Sequence, residues 1–411
     1  MSTTTGSHNL ALIRWLTFLM FTMFAMTTDA VGVIIPEIIR DFQLSLTQAS
    51  AFHYAPMIAI AISGIAFGFL ADRLGRKRTI IMGLGIFALA CFLFSVGKHF
   101  ESFVGLLILS GCAIGIFKTG ALALIGDIST STDDHTRTMN TVEGFFGVGA
   151  IIGPLIVSYL LDIKVSWIYL YIFAGCVCVI LLLIASRVEY PQTQQQSSAE
   201  KINLRRTLQM MSNTYALAFS LVIALYVATE TAIYVWMPTL LQDYSGSFMW
   251  LATYSLGIFF SLRAGGRFLG AWVLTKFTWT SVMALFSGSI FLCFAGTALW
   301  GVEAAVFLLP LSGLFMSMIY PTLNSKGISC FNKEEHGTIA GVILCFTAIA
   351  AALGPLSMSI IGDVFGHVKF GFYLATGFSG FLFIAMLFNW LKNPAEKRLA
   401  ELNKMGYSPA E

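Results

Sequence analysis

The sequence predicts an all-α membrane protein: twelve transmembrane helices forming two pseudo-symmetric six-helix bundles. Three observations carry that expectation. Hydrophobic residues make up 57% of the 411-residue chain and charged ones only 11%, far from the balance of a soluble domain. Apolar runs of about twenty residues, the length that crosses a hydrocarbon core of roughly 30 Å, fill almost the whole chain. The second half also repeats landmarks of the first at a spacing of 201 residues. Gly153-Pro154-Leu155 returns as Gly354-Pro355-Leu356, Asp133-Asp134-His135 as Glu334-Glu335-His336, and Asp29 as Glu230. A duplicated membrane domain with a carboxylate at the same depth of each half points to a secondary transporter. In such folds substrate and coupling ion meet near the midplane, between the repeats.

The expected spans run approximately 11–38, 50–71, 79–97, 103–126, 139–161 and 167–186 in the first half. In the second half they run 214–241, 249–274, 281–299, 304–327, 338–361 and 370–391. Lipid offers no partner to backbone N–H and C=O groups, so each span bonds internally as a helix. The first run holds Asp29 and Pro36 and has no small-residue cleavage site after a short apolar core. It reads as a span and not as a removable signal peptide.

Polar stretches then divide the chain. Residues 1–190 form the N-terminal bundle, 191–213 a cytoplasmic linker rich in Gln and Ser, 214–391 the C-terminal bundle, and 392–411 a cytoplasmic tail. In the tail, Pro394 opens a short polar helix that ends near Gly406.

Lys and Arg set the expected orientation. Arg14, the group Arg73, Arg76, Lys77 and Arg78, the linker residues Arg187, Lys201, Arg205 and Arg206, and the tail all lie on one side. The alternate connections offer only Arg40, Lys98, Lys164 and Lys369. Both termini are therefore expected in the cytoplasm, with the chain multi-pass in an inner or plasma membrane. This bias accounts for the net charge of +3, so no nucleic-acid partner is inferred. The seven cysteines show no zinc-site spacing, and neither a metal nor a cofactor is expected. With no nucleophile–base pair in view, an enzyme is not expected either.

The connection after the second span reads Gly68-Phe69-Leu70-Ala71-Asp72-Arg73-Leu74-Gly75-Arg76-Lys77-Arg78. It resembles the signature loop of the major facilitator superfamily, and the twelve spans and the repeat extend the resemblance over the whole chain. The resemblance implies a gating role for Gly68, Asp72, Arg73, Gly75 and Arg76, with Asp72 against the N-terminal dipole of the eleventh span, near Gly337-Thr338. It also implies alternating access and a monomer. Leu225-Tyr226-Val227-Ala228-Thr229-Glu230-Thr231 with Trp236-Met237-Pro238, Gly266-Arg267-Phe268-Leu269-Gly270, and Ser312-Gly313-Leu314 through Tyr320-Pro321-Thr322 are similar to motifs of the fucose–galactose–glucose permease group. That likeness adds Arg267 to the gating set. The chain departs from the group in its fourth span, where Gly115-Ile116-Phe117-Lys118-Thr119 puts a cation in place of the expected carboxylate.

Asp29 and Glu230 lead the candidate site residues. A carboxylate inside a bilayer costs roughly 2.5–3.5 kcal/mol even on lenient insertion scales, so each should meet water or a partner. Asp29 reads as the coupling carboxylate and Glu230 as a substrate or coupling residue. Tyr226 and Tyr234, four residues to either side of Glu230, share its helical face, and Trp236 offers a ring for stacking or an interfacial anchor. Lys118 shares a face with Gly111 and Gly115 and lies roughly 9 Å deeper than Asp29 by helical rise. Three roles stay open for it: neutralising Asp29, binding an anionic substrate group, or plugging the structure. His53 reads as a packing residue or a titrating one, and Asn140, Glu143 and Asn324 as gating hydrogen-bonders. Gly149-x-x-x-Gly153-Pro154 resembles an antiporter motif, and a bend in the fifth span explains it equally well.

Together these readings predict proton- or sodium-coupled uptake of a sugar, sugar derivative or small organic anion. The alternative is proton-coupled efflux of drugs or metabolites.

Overall fold

The computed structural model describes residues 3–67, 74–128, 132–190, 210–274, 276–331 and 336–406. Among them no strand occurs. The chain forms two compact units, Met1–Ser197 and Ser198–Glu411.

Unit 1 contains α1 (Thr3–Thr28), α2 (Val31–Phe42), the single turn α3 (Leu46–Ala49), α4 (Ala51–Ala66), α5 (Arg76–Leu93), α6 (Phe100–Ile128), α7 (Thr132–Asp162) and α8 (Ile168–Arg187). Unit 2 contains α9 (Thr214–Leu241), α10 (Met249–Thr253), α11 (Ser255–Leu274), α12 (Trp279–Trp300), α13 (Val302–Met316), α14 (Ile319–Ser329), α15 (His336–Phe365), α16 (Lys369–Lys392) and the tail helix α17 (Glu396–Gly406). Ten stretches among the described residues are long and apolar enough to cross a membrane. The two other expected spans, 50–71 and 249–274, are helical over Ala51–Ala66 and Ser255–Leu274.

The internal repeat appears as repeated packing. In unit 1, α1 packs on α7, α4 on α6, and α5 on both α6 and α8. In unit 2 the corresponding helices pair the same way: α9 on α15, α11 on α13, and α12 on both α13 and α16. Small residues make these approaches close, as lipid-embedded helices require when no hydrophobic force drives them together. A Cβ on Gly149 or Gly153 of α7 would strike the carbonyls of Thr22 and Met26 on α1. The Thr22 hydroxyl also donates to the Phe145 carbonyl across that seam at 3.0 Å. Gly149 and Gly153 thus form a helix-packing surface, which gives the glycine run a structural role. Gly354 holds the equivalent seam of unit 2, where an added Cβ would stand 3.0 Å from Ala228 Cα.

Three of the expected spans are interrupted among the described residues. The first breaks at Asp29-Ala30, between α1 and α2, the eighth at Tyr254, between α10 and α11, and the tenth at Ser317-Met318, between α13 and α14. Pro321 follows the last of these breaks by one turn, and its missing N–H cannot serve the Ser317 carbonyl. Pro36, in contrast, sits inside α2 without ending it.

Candidate functional site

Each unit places its repeat-related carboxylate in a distinct setting. In unit 1, α1 runs to Thr28 and its last turn closes with Asp29 N–H donating to the Ala25 carbonyl at 3.0 Å. Asp29 is half-buried in the break, and the Thr28 hydroxyl donates to its Oδ2 at 2.9 Å. The Lys118 ammonium lies 5.4 Å from the centroid of the Phe146 ring on α7, a distance at which the ring face attracts a cation. Glu143, one turn before Phe146, and Asp29 both lie within electrostatic reach of Lys118. Gly111 and Gly115, expected to share the packed face of Lys118, press α6 onto α4: a Cβ on Gly111 would stand 2.6 Å from the Pro56 carbonyl and one on Gly115 would strike the Ser63 hydroxyl. The glycines therefore face one neighbour while the ammonium reaches another. His53, the third residue of α4, is buried.

In unit 2, Glu230 is 7% exposed and lies in the middle of the continuous helix α9. Its Oε1 pairs with Arg263 Nη2 at 2.8 Å and stands 2.9 Å from the Tyr226 hydroxyl. Arg263 projects from α11, and its guanidinium carbon lies 6.0 Å from the Phe260 ring centroid. Tyr226 is fully buried, its hydroxyl also 2.9 Å from the Met316 carbonyl at the end of α13, and its ring 6.3 Å from that of Tyr320 on α14. Arg267, one turn after Arg263, adds a positive field at Tyr226. Tyr234 is half-buried beside Phe260, with ring centroids 6.1 Å apart. Trp236 is fully enclosed, and its indole N–H donates to the Pro355 carbonyl on α15 at 3.0 Å. It fastens α9 to α15 inside the unit.

Of the expected gating residues, Gly68, Asp72 and Arg73 lie outside the described residues. Gly75 precedes α5 with φ of 84°, a conformation that favours glycine. Arg76 opens α5 and pairs with Asp127 near the end of α6 at 2.9 Å. Beside it, Lys77 donates to the Val188 carbonyl at 2.8 Å. Glu143 is exposed and Asn324 half-buried, and the Asn140 side chain lies outside the described set.

Sequence reasoning brought Tyr226 and Glu230 together through their spacing but missed Arg263 and Asp127. Arg263 carried a usable signal. It is a cation inside an apolar span, four residues before Arg267, and intramembrane charges pair with one another. Asp127 had none, because its partner lies on another helix.

Two units that repeat one pattern of helix packing, with ten membrane-length apolar stretches among the described residues, define a polytopic membrane protein. The family model for the Major Facilitator Superfamily matches residues 17–355, and the chain belongs to that superfamily. It is 24% identical over 362 residues to the quinolone resistance protein NorA of Staphylococcus aureus (strain MSSA476), covering 85% of this chain and 90% of that one. It is 23% identical over 372 residues to a glucose/galactose transporter of Brucella abortus, covering 86% and 88%. The solved structure of the E. coli fucose:proton symporter FucP superposes with a TM-score of 0.63 at 20% identity, over 92% of this chain and 99% of that one. The resemblance to the fucose–galactose–glucose group stands alongside the similarity to a drug-resistance protein.

Proposed function

We propose that this protein is a cation-coupled secondary transporter that takes up a small polar solute by alternating access, with Asp29 as the coupling carboxylate. The solute is a sugar, a sugar derivative or a small organic anion. The protein works as a monomer in an inner or plasma membrane, both termini in the cytoplasm, and carries no enzymatic activity. The observation that carries the reading is the position of Asp29 at the interruption between α1 and α2. Interrupted helices bring backbone groups and side chains together at membrane depth where an ion can bind. Lys118 lies within electrostatic reach of Asp29, and its amine would meet the acidic group of an anionic solute bound there.

The test uses proteoliposomes. Asp29→Asn is expected to abolish gradient-driven accumulation while sparing solute exchange, and intact accumulation in that variant rejects the assignment. Imposing a proton gradient and a sodium gradient separately identifies the ion. A thermal-shift comparison of neutral hexoses with the corresponding sugar acids, in wild type and Lys118→Gln, identifies the solute class.

A second reading is proton-coupled efflux, supported by the similarity to NorA over 85% of this chain. Resistance to amphipathic drugs on expression, with no uptake phenotype, would establish efflux and reject uptake.

A further inference from the structure

Lys118 and Glu143 carry opposite charges on two helices of unit 1, yet they do not close on each other. The Lys118 ammonium stands 5.4 Å from the centroid of the Phe146 ring. Glu143 precedes Phe146 by three residues on α7, so ring and carboxylate share one helix face. Lys118 is half-buried and Glu143 exposed. Among the described residues neither makes an ion pair or a hydrogen bond. Ionisable groups inside a membrane protein ordinarily pair with one another. Here the aromatic face attracts the ammonium one turn away from the carboxylate, and the two charges stay apart.

A third charge completes the balance. Asp29 also lies within electrostatic reach of Lys118, so unit 1 gathers two carboxylates and one ammonium. The coupling cation proposed for Asp29 cancels that carboxylate. One positive and one negative group then remain for the solute, on α6 and α7. A solute with an acid alone would satisfy Lys118 but be repelled by Glu143. A neutral sugar would leave both charges uncompensated. A solute that carries an acid and an ammonium answers both.

We propose that unit 1 binds a zwitterionic solute, a small hydroxylated amino acid or amino sugar acid, whose carboxylate meets Lys118 and whose ammonium meets Glu143. This deepens the proposed cation-coupled uptake and rests on it, since the charges balance only with the cation on Asp29. Glu143 thereby becomes a solute-binding residue, where the sequence suggested gating. Phe146 keeps the two charged groups separated, so that the solute bridges them.

The experiment measures binding to the purified full-length protein by thermal-shift titration, in mildly acidic buffer with sodium chloride so that either coupling cation is present. Gluconate and glucosaminate form one pair of probes, differing by a hydroxyl against an ammonium beside the carboxylate. Glucose and glucosamine form the second pair, with no acid. In wild type, glucosaminate is expected to bind at least about tenfold tighter than gluconate, the factor one charge-assisted hydrogen bond supplies, and tighter than glucosamine. In Glu143→Gln the gap between the two acids should close. In Lys118→Gln both acids should weaken about tenfold, while glucosamine should not. Gluconate binding as tightly as glucosaminate in wild type, no binding of glucosaminate, or a gap that survives in Glu143→Gln would each overturn the proposal. Should Lys118→Gln not fold, wild type and the exposed Glu143→Gln still decide it. The two levels of inference fail separately. Gluconate as the tighter ligand rejects the zwitterion and leaves an acidic solute standing, while accumulation by Asp29→Asn in proteoliposomes judges the coupling role alone.

Discussion

In unit 1 the intramembrane carboxylate occupies a break in its helix, while in unit 2 the equivalent carboxylate occupies an unbroken helix and is paired with a guanidinium. Asp29 and Glu230 are 201 positions apart, and the helix pairings around them are the same. The difference is whether the helix that bears the acid is interrupted. Unit 1 breaks the helix that bears the acid. Unit 2 keeps that helix whole and breaks α13–α14 instead, joining the two through Tyr226. A duplicated scaffold can thus conserve packing while assigning its two acids different tasks. Under the proposed function Asp29 exchanges the cation, whereas Glu230 belongs to an internal network with Arg263 and Tyr226.

The largest expected effect tests that division directly. Arg263→Met strands Glu230 as a buried charge without its ion pair. Breaking such a pair costs about 3–5 kcal/mol, read as a lower denaturation midpoint in detergent. The double variant Glu230→Gln/Arg263→Met removes both charges and should recover most of the loss. Asp29→Asn, by contrast, should change stability by only about 1 kcal/mol, since the amide oxygen still accepts from Thr28. Equal destabilisation by Asp29→Asn and Arg263→Met would erase the distinction between the units.

The next test compares the two glycine seams. In Gly153→Ala the new methyl meets the Met26 backbone, which cannot yield without moving α1. Overpacking of this kind costs about 2–3 kcal/mol. In Gly354→Ala the nearest atoms are the Ala228 Cα at 3.0 Å and Cβ at 3.2 Å, so a small helix shift relieves the contact. A loss of about 1 kcal/mol is expected there. Unfolding of both variants under identical conditions ranks the seams, and the reverse order would show that the α9–α15 seam is the tighter one.

Much of this architecture is legible in the chain itself. The spans follow from hydropathy, because lipid forces every run of sufficient length into a helix. Glu230 and Tyr226 are legible as a pair because one helical turn separates them. The break at Asp29-Ala30 is marked only faintly: Thr27, Thr28 and Asp29 interrupt the apolar run, and neither glycine nor proline stands at the break itself. The burial of Trp236 is equally hidden, since a span apolar on every side does not reveal which face meets protein. Partners across helices were the hardest to read. Lys118 suggested Asp29 through shared charge logic, and the structure adds Glu143 as a second carboxylate within its reach. Glu143 lies on α7, and only the packing of α7 near α6 shows the proximity.

The smallest expected effect concerns the end of unit 1 that carries the signature loop. Arg76 pairs with Asp127 at 2.9 Å, the side chains 11% and 31% exposed. Water and salt reach such a pair, so Arg76→Gln should cost only about 0.5 kcal/mol, less at high ionic strength. The position 201 residues later is Phe277, 61% exposed, so unit 2 has no guanidinium there to make the same clamp. Arg76→Gln should therefore show a salt-dependent loss of stability, while Phe277→Gln should show none that varies with salt. A loss above about 1.5 kcal/mol in Arg76→Gln, unaffected by salt, would exceed what an exposed pair supplies. It would assign Arg76 to a buried charge network and make this end of unit 1, not Arg263, the sharpest electrostatic contrast between the repeats.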